Sequence, residues 1–444
     1  MRALRLTCLV TPALLAACAG SPEKGTLADL RDLPPDVAEV EVEQGLDKAM
    51  QSYRRYLDET PRSEMTPEAM RRLADLQLEK EFGIRGDGQL IEMAAPEEAG
   101  TTAAPALQQA ATGIAGLAES DQDFERRTTG AQQIAPATSA AVTPAGAAAE
   151  PVPSGPLEAI ALYDRLLAEY PDFEHNDQVL YQKARAYDEL GRTEEAMETM
   201  ELLVSRHQHS NHYDEVQFRR AEFFFTRRKF RDAENAYQAI INMGASSTYY
   251  ELALYKLGWT LYKQDFYDEA QHKFIALLDY KVSIGYDFDQ AQHEDEERRI
   301  ADTFRVISLG FSNLGGPEVV QEYFAGNGHR SYEDRIYANL GEFYFAKLRY
   351  DDAAKTYKAF VELNPFHRSS PHFSMRVVEI YTRADFPKLV LEAKKEFASR
   401  YGLQAEYWRH FDVNEAPEVL SYLKSNLRDL ANHFHALYQA PELA

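Results

Sequence analysis

Cysteine is nearly absent from this chain. Only two occur in 444 residues, Cys8 and Cys18, and both stand near the N-terminus. The rest of the chain can therefore hold neither a disulfide framework nor a cysteine-ligated zinc site. Basic residues are scarce relative to acidic ones, with 48 Lys and Arg against 71 Asp and Glu, a formal net charge of −23. Because such a chain repels phosphate groups and has no basic block, no nucleic-acid partner is expected.

Long apolar runs and catalytic motifs are also missing. Beyond the N-terminal segment, no apolar run approaches the roughly 18 residues that a membrane-spanning helix needs. No nucleophile elbow, phosphate-binding loop, HExxH motif or paired-cysteine motif occurs. We therefore predict that the protein is not an enzyme, and that it uses no cofactor and no small-molecule substrate.

Strand-like alternation of apolar and polar residues is almost absent. From residue 157 onward, and over 37–84, apolar residues recur at three- and four-residue spacing, which predicts an all-α fold. The intervening segment 85–155 is rich in Ala, Pro and Thr. Because it cannot bury enough apolar area to offset its ordering entropy, we predict a disordered insertion there. A short helix near 103–117 is compatible with its composition.

The first residues have the layout of an export signal. Arg2 and Arg5 precede an apolar stretch over 6–17. That stretch is too short for a stable membrane span, so we interpret 1–17 as a removable signal peptide.

The second cysteine ends this apolar stretch. The run Leu15-Ala16-Ala17-Cys18 resembles the lipobox of bacterial lipoproteins. The resemblance implies that the Cys18 thiol carries acyl chains such as palmitate, each buried methylene contributing about 0.8 kcal/mol of anchoring. Ala19 rather than Asp after the cysteine implies the outer membrane, on its periplasmic face. Residues 18–36 would form the lipidated tether. The alternative is an ordinary signal peptide with Cys18 incidental.

Small residues recur at a fixed spacing in the helical body. Ala184, Ala221 and Gly258 are 37 residues apart, and Gly341 continues the pattern. It resembles the tetratricopeptide repeat (TPR), in which a small residue at position 8 meets a small residue at position 20 of the antiparallel partner helix. A ring at position 24 fills the remaining gap. The resemblance implies an all-α TPR superhelical solenoid of antiparallel helix pairs.

The repeats divide the chain into segments. We predict N-terminal TPR-like helices over 37–84, TPR repeats over 156–280 and 331–402, and a degenerate TPR-like unit over 281–330. Residues 403–444 hold a helix that either caps the array or begins a truncated repeat.

The repeat register also continues across the segment 85–155. Ala74 fits position 8 of a repeat, and Ala159 and Tyr163 fit positions 20 and 24. We therefore interpret 85–155 as an insertion between the two helices of one repeat, because loop-closure entropy grows only slowly with loop length. The alternative is a separate helical hairpin over 37–84 whose register matches by chance.

The first helices of TPR repeats line a concave groove through a few positions. Transferred to this sequence, those positions predict an aromatic groove for an extended or helical peptide of a protein partner. The alternative is that the same rings pack between adjacent repeats. The predicted groove residues are Tyr181, Phe218, Phe225, Tyr255, Trp259 and Tyr262.

Two polar stretches contain metal-ligating residue types. His207, His209 and His212 fall at an inter-repeat turn, where a solvated loop is favoured over a zinc site. Residues 289–299 are interpreted as an exposed acidic helix start, with calcium binding as the alternative. No metal site is predicted.

Lipobox and TPR array together resemble the outer-membrane lipoproteins that scaffold envelope machines in Gram-negative bacteria. These include BamD-like and CpoB-like types, and the larger TPR lipoproteins of TolQ/TolR-type machines are most similar, through stretches such as LYKLGWTLYKQDFYDEA. The resemblance implies a non-enzymatic scaffold, lipid-anchored through Cys18, whose partners are other envelope proteins or peptides. The alternative is a chaperone-like factor for β-barrel assembly that binds unfolded client peptides.

Overall fold

A computed structural model of the chain describes residues 45–60, 62–83, 119–130, 154–290 and 293–439. Within these ranges the regular structure is helical and contains no strand. The chain divides into two units, Met1–Ala69 and Met70–Ala444. The predicted signal peptide, Cys18, the tether and the helix suggested near 103–117 lie outside the described residues.

The first unit contains α1 (Gly45–Glu59) and the start of α2 (Thr66–Phe82). Polar side chains fix the turn between them. The Tyr56 hydroxyl and the Ser63 Oγ lie 2.6 Å apart, and the Ser63 backbone N–H donates to Thr66 Oγ1 at 2.8 Å. These bonds satisfy polar groups where the chain enters α2.

The second unit continues α2 and holds every later described helix. Their bounds are α3 Asp121–Thr129, α4 Ser154–Glu169, α5 Asn176–Glu189, α6 Thr193–Arg206, α7 Tyr213–Thr226, α8 Phe230–Met243, α9 Tyr250–Tyr262, α10 Tyr267–Ser283, α11 Glu294–Leu314, α12 Pro317–Asn327, α13 Glu333–Ala346, α14 Tyr350–Leu363, α15 Ser370–Arg383, α16 Pro387–Tyr401 and α17 Pro417–Gln439. None of these helices is long and apolar enough to cross a membrane.

From α5 to α16, consecutive helices pack as pairs, and each pair packs on the next. Most pairs are joined by a tight turn with one residue in the left-handed region, a conformation that glycine adopts at no steric cost. The same turn position therefore recurs at the repeat spacing. It is held by Gly191 (φ 69°), Arg228 (58°), Asp265 (64°), Leu348 (60°) and Asp385 (56°).

Close approach within a pair explains the small residues of the predicted register. A Cβ added to Gly258 would stand 2.6 Å from the Phe274 ring, and one added to Gly341 would stand 2.5 Å from the Tyr357 ring. Larger side chains at position 8 would force the helices apart. The predicted all-α architecture of TPR-like antiparallel helix pairs is thereby confirmed in the described residues.

Successive pairs are joined by an equivalent hydrogen bond. A serine hydroxyl before one first helix donates to an aspartate in the first turn of the preceding one. The bonds are Ser210 to Asp177 (2.8 Å), Ser247 to Asp214 (2.8 Å) and Ser369 to Asp334 (2.7 Å). Their recurrence shows that these repeats stack with the same geometry.

Side chains link the helices on either side of 85–155. The Tyr163 hydroxyl of α4 donates to Asp75 of α2 at 2.6 Å, and Gln77 Nε2 donates to Glu158 at 3.0 Å. Later residues of α2 thus meet earlier residues of α4. Antiparallel contacts of this kind are what an insertion inside one helix pair requires.

The helix α3 lies inside the segment predicted to be disordered, and here the structure differs from the sequence prediction. Ser120 caps it, its Oγ accepting from the Asp123 backbone N–H at 3.1 Å. Phe124 is fully buried in the core of the second unit. A composition averaged over 85–155 hides this short segment, whose order comes from packing on other helices rather than from its own propensity.

The last helix, α17, packs on α16 beyond two short 3₁₀ turns, Glu406–Arg409 and Val413–Glu415. Val419 and Leu423 are buried against Phe397 and Tyr401. The C-terminal helix expected from the sequence is therefore present, and one of its faces covers the end of the last pair.

Candidate protein-binding site

The first helices α9, α11 and α13 hold α3 on their shared face. The anchor is Phe124, whose ring centroid lies 5.7 Å from that of Trp259 at an interplanar angle of 58°. Trp259 in turn has edge contacts with Tyr255, Tyr262 and Phe274 at 6.4, 5.4 and 6.0 Å. Tilted and edge arrangements of this kind are favourable beyond the area they bury.

Two guanidinium groups complete the surroundings of the Phe124 ring. Arg305 of α11 places its Cζ 4.1 Å from the ring centroid, and Arg127 of α3 places its own at 5.5 Å. A cation over an aromatic face is attracted by the ring quadrupole, contributing roughly 0.5–2 kcal/mol as the site becomes drier. The ring is thus enclosed by one apolar wall and two cationic walls.

The arginines also form ion pairs across the contact. Arg127 donates from Nη1 and Nη2 to the two oxygens of Asp302 at 2.8 and 2.9 Å. Arg305 donates to the Glu119 carboxylate at 2.9 Å and to the Glu119 backbone carbonyl at 2.8 Å. The side chains of Asp302 and Arg305 are only 15% and 11% exposed, so these pairs are less screened than ordinary surface pairs.

Two lysines extend the charged rim. Lys263, just after α9, pairs with Glu125, and Lys347, just after α13, pairs with Asp121. Both lysines stand at helix C-termini, where a cation is favoured by the helix dipole. We call the surface formed by Tyr255, Trp259, Tyr262, Lys263, Asp302, Arg305 and Lys347 the docking face.

The electrostatics of the docking face keep Glu119 ionised. A hydrogen bond from Arg127 is the largest cause lowering the pKa of Glu119, with further lowering by Arg305 against the opposing effect of burial. Burial raises the pKa of Tyr255 and of Tyr262 well above the usual tyrosine value. At neutral pH the two tyrosines are therefore uncharged and Glu119 is ionised.

The apolar floor of the docking face arises from substitutions at repeat-equivalent positions. In another repeat, the position equivalent to Trp259 is Glu342, which accepts from Tyr357 at 2.6 Å and from Arg376 at 2.7 and 2.8 Å. Glu222 has the same arrangement in the preceding repeat, with Tyr237 and Lys256. In the repeat of the docking face, Trp259 stands where the other two repeats have the glutamate, and Phe274 stands where they have the tyrosine. The polar network is therefore missing from this repeat, which leaves an apolar surface that accepts a phenyl ring.

The structure brings together three of the predicted groove residues. Tyr255, Trp259 and Tyr262 lie in one patch against α3, together with Lys263 of the same repeat. They occupy the positions through which the TPR resemblance placed the groove.

The other three predicted groove residues pack against other rings. Tyr181 stacks on His212 at 3.9 Å, Phe218 stacks on Tyr249 at 5.1 Å, and Phe225 meets Phe230 at 5.5 Å. All three side chains are buried by such contacts. This is the arrangement expected of rings that pack between neighbouring helices.

Sequence reasoning missed three residues of the docking face and the ring that anchors α3. Asp302, Arg305 and Lys347 come from the degenerate unit and the repeat after it, for which no groove positions were assigned. Phe124 was overlooked within a biased segment, although it is the only aromatic residue between Phe82 and Tyr163. That isolated ring, flanked by charged residues in ESDQDFERR, is the signal that could have revealed it.

The predicted polar stretches take part in local structure. His212 stacks on Tyr181, and burial lowers the pKa of His212. Near the other stretch, Glu296 pairs with Lys281 and Asp289 pairs with Arg335. Among the described residues, no group of three or more His, Cys, Asp or Glu side chains is arranged to hold a metal ion.

The fold is that of a helical-repeat protein, and α3 is seated on the face formed by the first helices α9, α11 and α13. Comparison with protein families adds that residues 156–217 and 334–367 match tetratricopeptide repeat models. The chain therefore contains tetratricopeptide repeats, a module that generally serves as a scaffold for protein–protein interaction. No curated protein matches the sequence.

Solved structures give only distant similarity. A tetratricopeptide repeat protein from Parabacteroides merdae ATCC 43184 is 12% identical with a TM-score of 0.27, over 61% of this chain and 93% of that one. The structure of Naa15/Naa10 bound to HypK-THB is 12% identical with a TM-score of 0.31, over 87% of this chain and 49% of that one. At these scores neither similarity supports a functional argument.

Proposed function

We propose that this protein is a non-enzymatic scaffold that binds segments of other envelope proteins through its docking face. The observation that carries the proposal is the seating of α3, a helical peptide held on first helices by one buried ring and a rim of ion pairs. A central aromatic anchor with a charged rim is the usual anatomy of a protein–protein interface.

The proposed location is the periplasmic face of the outer membrane, with a lipid anchor on Cys18. The support is the resemblance of Leu15-Ala16-Ala17-Cys18 to a lipobox and the Ala19 that follows. Multiple acyl chains on one cysteine would hold the protein stably, since each buried methylene adds about 0.8 kcal/mol.

Localisation is tested by Cys18→Ser. The variant is expected to leave the membrane fraction or to retain its signal peptide, because the acyl acceptor is gone. Membrane fractionation and mass spectrometry of the N-terminus are the measurements. A variant that is still acylated and still sediments with the outer membrane would contradict the anchor.

Binding is tested by charge reversal on the docking face. Asp302→Arg is expected to reduce capture of envelope proteins by the intact chain, because a cation replaces the carboxylate that pairs with an arginine of the bound helix, as it does with Arg127. The matched control is Asp289→Arg, a reversal at a side chain that is 86% exposed and lies outside the face. Equal capture by both variants would contradict the proposal.

The identity of what is captured separates the two envelope roles. Folded envelope proteins in stable complexes support a scaffold of the kind found in TolQ/TolR-type machines. Unfolded β-barrel segments would instead indicate the BamD-like assembly role.

A further inference from the structure

We propose that the docking face recognises a short acidic helix with one aromatic ring, supplied by a partner protein, and that α3 occupies the face until the partner displaces it. This inference rests on the proposed function, because it specifies the chemistry of the partner segment. The partner is a helix whose ring enters the Phe124 position, with carboxylates on both sides of the ring and an arginine three residues after it.

The first support is that α3 is held as a ligand would be held. Its backbone hydrogen bonds are local, such as Phe124 N–H to the Ser120 carbonyl at 2.9 Å and Gly130 N–H to the Arg126 carbonyl at 2.8 Å. Within the described residues, the hydrogen bonds and ion pairs that join 119–130 to the rest of the chain reach the docking face. Side-chain attachment of one short helix to a helical face is a recurring mode of peptide recognition.

The second support is charge complementarity. The docking face presents three cations, Lys263, Arg305 and Lys347, and one anion, Asp302. Their partners on the occupant are Glu125, Glu119, Asp121 and Arg127, in the order just given. The chain as a whole has a net charge of −23, whereas this face is cationic. The face therefore favours an acidic segment as its ligand.

The third support is that a nine-residue helix is not stable by itself. Helices shorter than about 12 residues are marginal in water, so α3 must be formed by its contact with the face. The occupant therefore loses its helix on leaving, which reduces its net affinity. A longer or more helical partner segment avoids much of that cost.

Covalent attachment on both sides offsets this weakness. A tethered segment meets its site at an effective concentration on the order of millimolar. The tethered segment therefore competes with any external segment. The apparent affinity of the external segment falls in proportion to the fraction of time that α3 occupies the face. Specificity follows, because only a partner with the matching ring and charges binds tightly enough to displace it.

The test uses the full chain and a fluorescent synthetic peptide of residues 117–131. Wild-type chain is expected to bind the peptide weakly in anisotropy titrations. Phe124→Ala should free the face and bind the peptide at least about 30-fold more tightly, the change expected for loss of a hot-spot ring from the resident competitor. A peptide in which the phenylalanine is replaced by alanine should not bind either chain.

A charge exchange makes the result specific to the docking face. In the Phe124→Ala chain, Asp302→Arg should reject the natural peptide and accept a peptide that carries glutamate in place of Arg127. The matched control, Asp289→Arg, should leave the preference unchanged. A purely structural role for α3 predicts no such exchange of preference.

If Phe124→Ala loses helicity in the repeats, Arg127→Glu serves as a milder release variant, since it removes the pair with Asp302 and leaves the ring. The proposal is overturned if neither release variant binds the natural peptide more tightly than wild type, or if the charge exchange fails. Neither failure would affect the tests of the proposed function by Cys18→Ser and by partner capture. Peptide binding without any capture of envelope proteins would instead refute the proposed function.

Discussion

Phe124→Ala is the perturbation that bears most directly on how α3 is held. The wild-type ring is completely buried, between the Trp259 indole at 5.7 Å and the Arg305 guanidinium at 4.1 Å. Alanine would leave this space empty and remove both aromatic contacts. Since α3 has no other large apolar side chain, the helix should then detach from the docking face.

The expected magnitude follows from the burial. Replacing a buried phenylalanine by alanine costs about 3–5 kcal/mol. Because every 1.4 kcal/mol is a factor of ten, the lower limit corresponds to about 100-fold more frequent opening of α3. The ion pairs of Arg127 and Glu119 are partly exposed and cannot compensate, since such pairs contribute about 1 kcal/mol or less each.

Native-state hydrogen exchange measures this opening directly. Amides bonded within α3, such as those of Phe124 and Gly130, should exchange about 100-fold faster in the variant, or reach the unprotected rate. Amides of α14, which packs away from the face, should keep their protection. The matched control is Phe434→Ala, which truncates a phenylalanine that is 48% exposed on α17.

Two results would refute this reasoning. Unchanged protection in α3 would mean that Phe124 is not its anchor. Loss of protection through α13 and α14 as well would mean that α3 is an inseparable part of the core rather than an occupant of a surface.

Three further predictions follow from the same contacts. A double-mutant cycle of Arg127→Ala and Asp302→Ala should give a coupling free energy of about 1 kcal/mol. The bidentate geometry strengthens the pair, whereas the 45% exposure of Arg127 weakens it. Zero coupling would contradict this prediction. Leu348→Gly should increase the free energy of unfolding by about 1 kcal/mol, seen as a higher urea midpoint, because a non-glycine residue at φ 60° is strained and this side chain is exposed. Leu348→Ala should give no such increase. Because docking lowers the pKa of Glu119, the contribution of Glu119 to α3 docking is present above the unperturbed pKa of 4.5 and is lost as the pH falls through the docked pKa. Trp259 fluorescence in a Trp408→Phe chain should report this loss. Glu119→Gln should abolish this pH dependence.

The repeat architecture could be predicted from the sequence because its cause is local and periodic. Two helices approach closely only where a side chain is small, so Gly258 and Gly341 had to recur in register with Ala184 and Ala221. The structure adds the atoms responsible, namely the Phe274 and Tyr357 rings that a Cβ would strike. Any residue whose role depends on its own helix pair is predictable in this way.

The docking face was predictable only in part, because its two halves are far apart in sequence. Tyr255, Trp259 and Tyr262 belong to one repeat and follow from position within it. Asp302 and Arg305 come from the degenerate unit, where the pattern gives no positions to transfer. Pairing across such a distance depends on how the repeats stack.

The helix α3 was not predicted, for a different reason. The segment 85–155 was judged by its average composition, and an average cannot register one phenylalanine with favourable neighbours. Tyr181 and Phe218 stand at predicted groove positions, and their rings are buried between neighbouring helices. An aromatic residue at a groove position indicates exposure only where the next repeat leaves it uncovered.

Under our proposal, the docking face binds a short acidic helix and α3 is the resident one. A photoreactive benzoyl-phenylalanine in place of Lys263, which pairs with Glu125, tests it in the full chain. Illumination should attach position 263 to the segment 119–130, and an excess of free 117–131 peptide should move the attachment to the peptide. Attachment that never forms within 119–130, or that stays there at every peptide concentration, would contradict the claim.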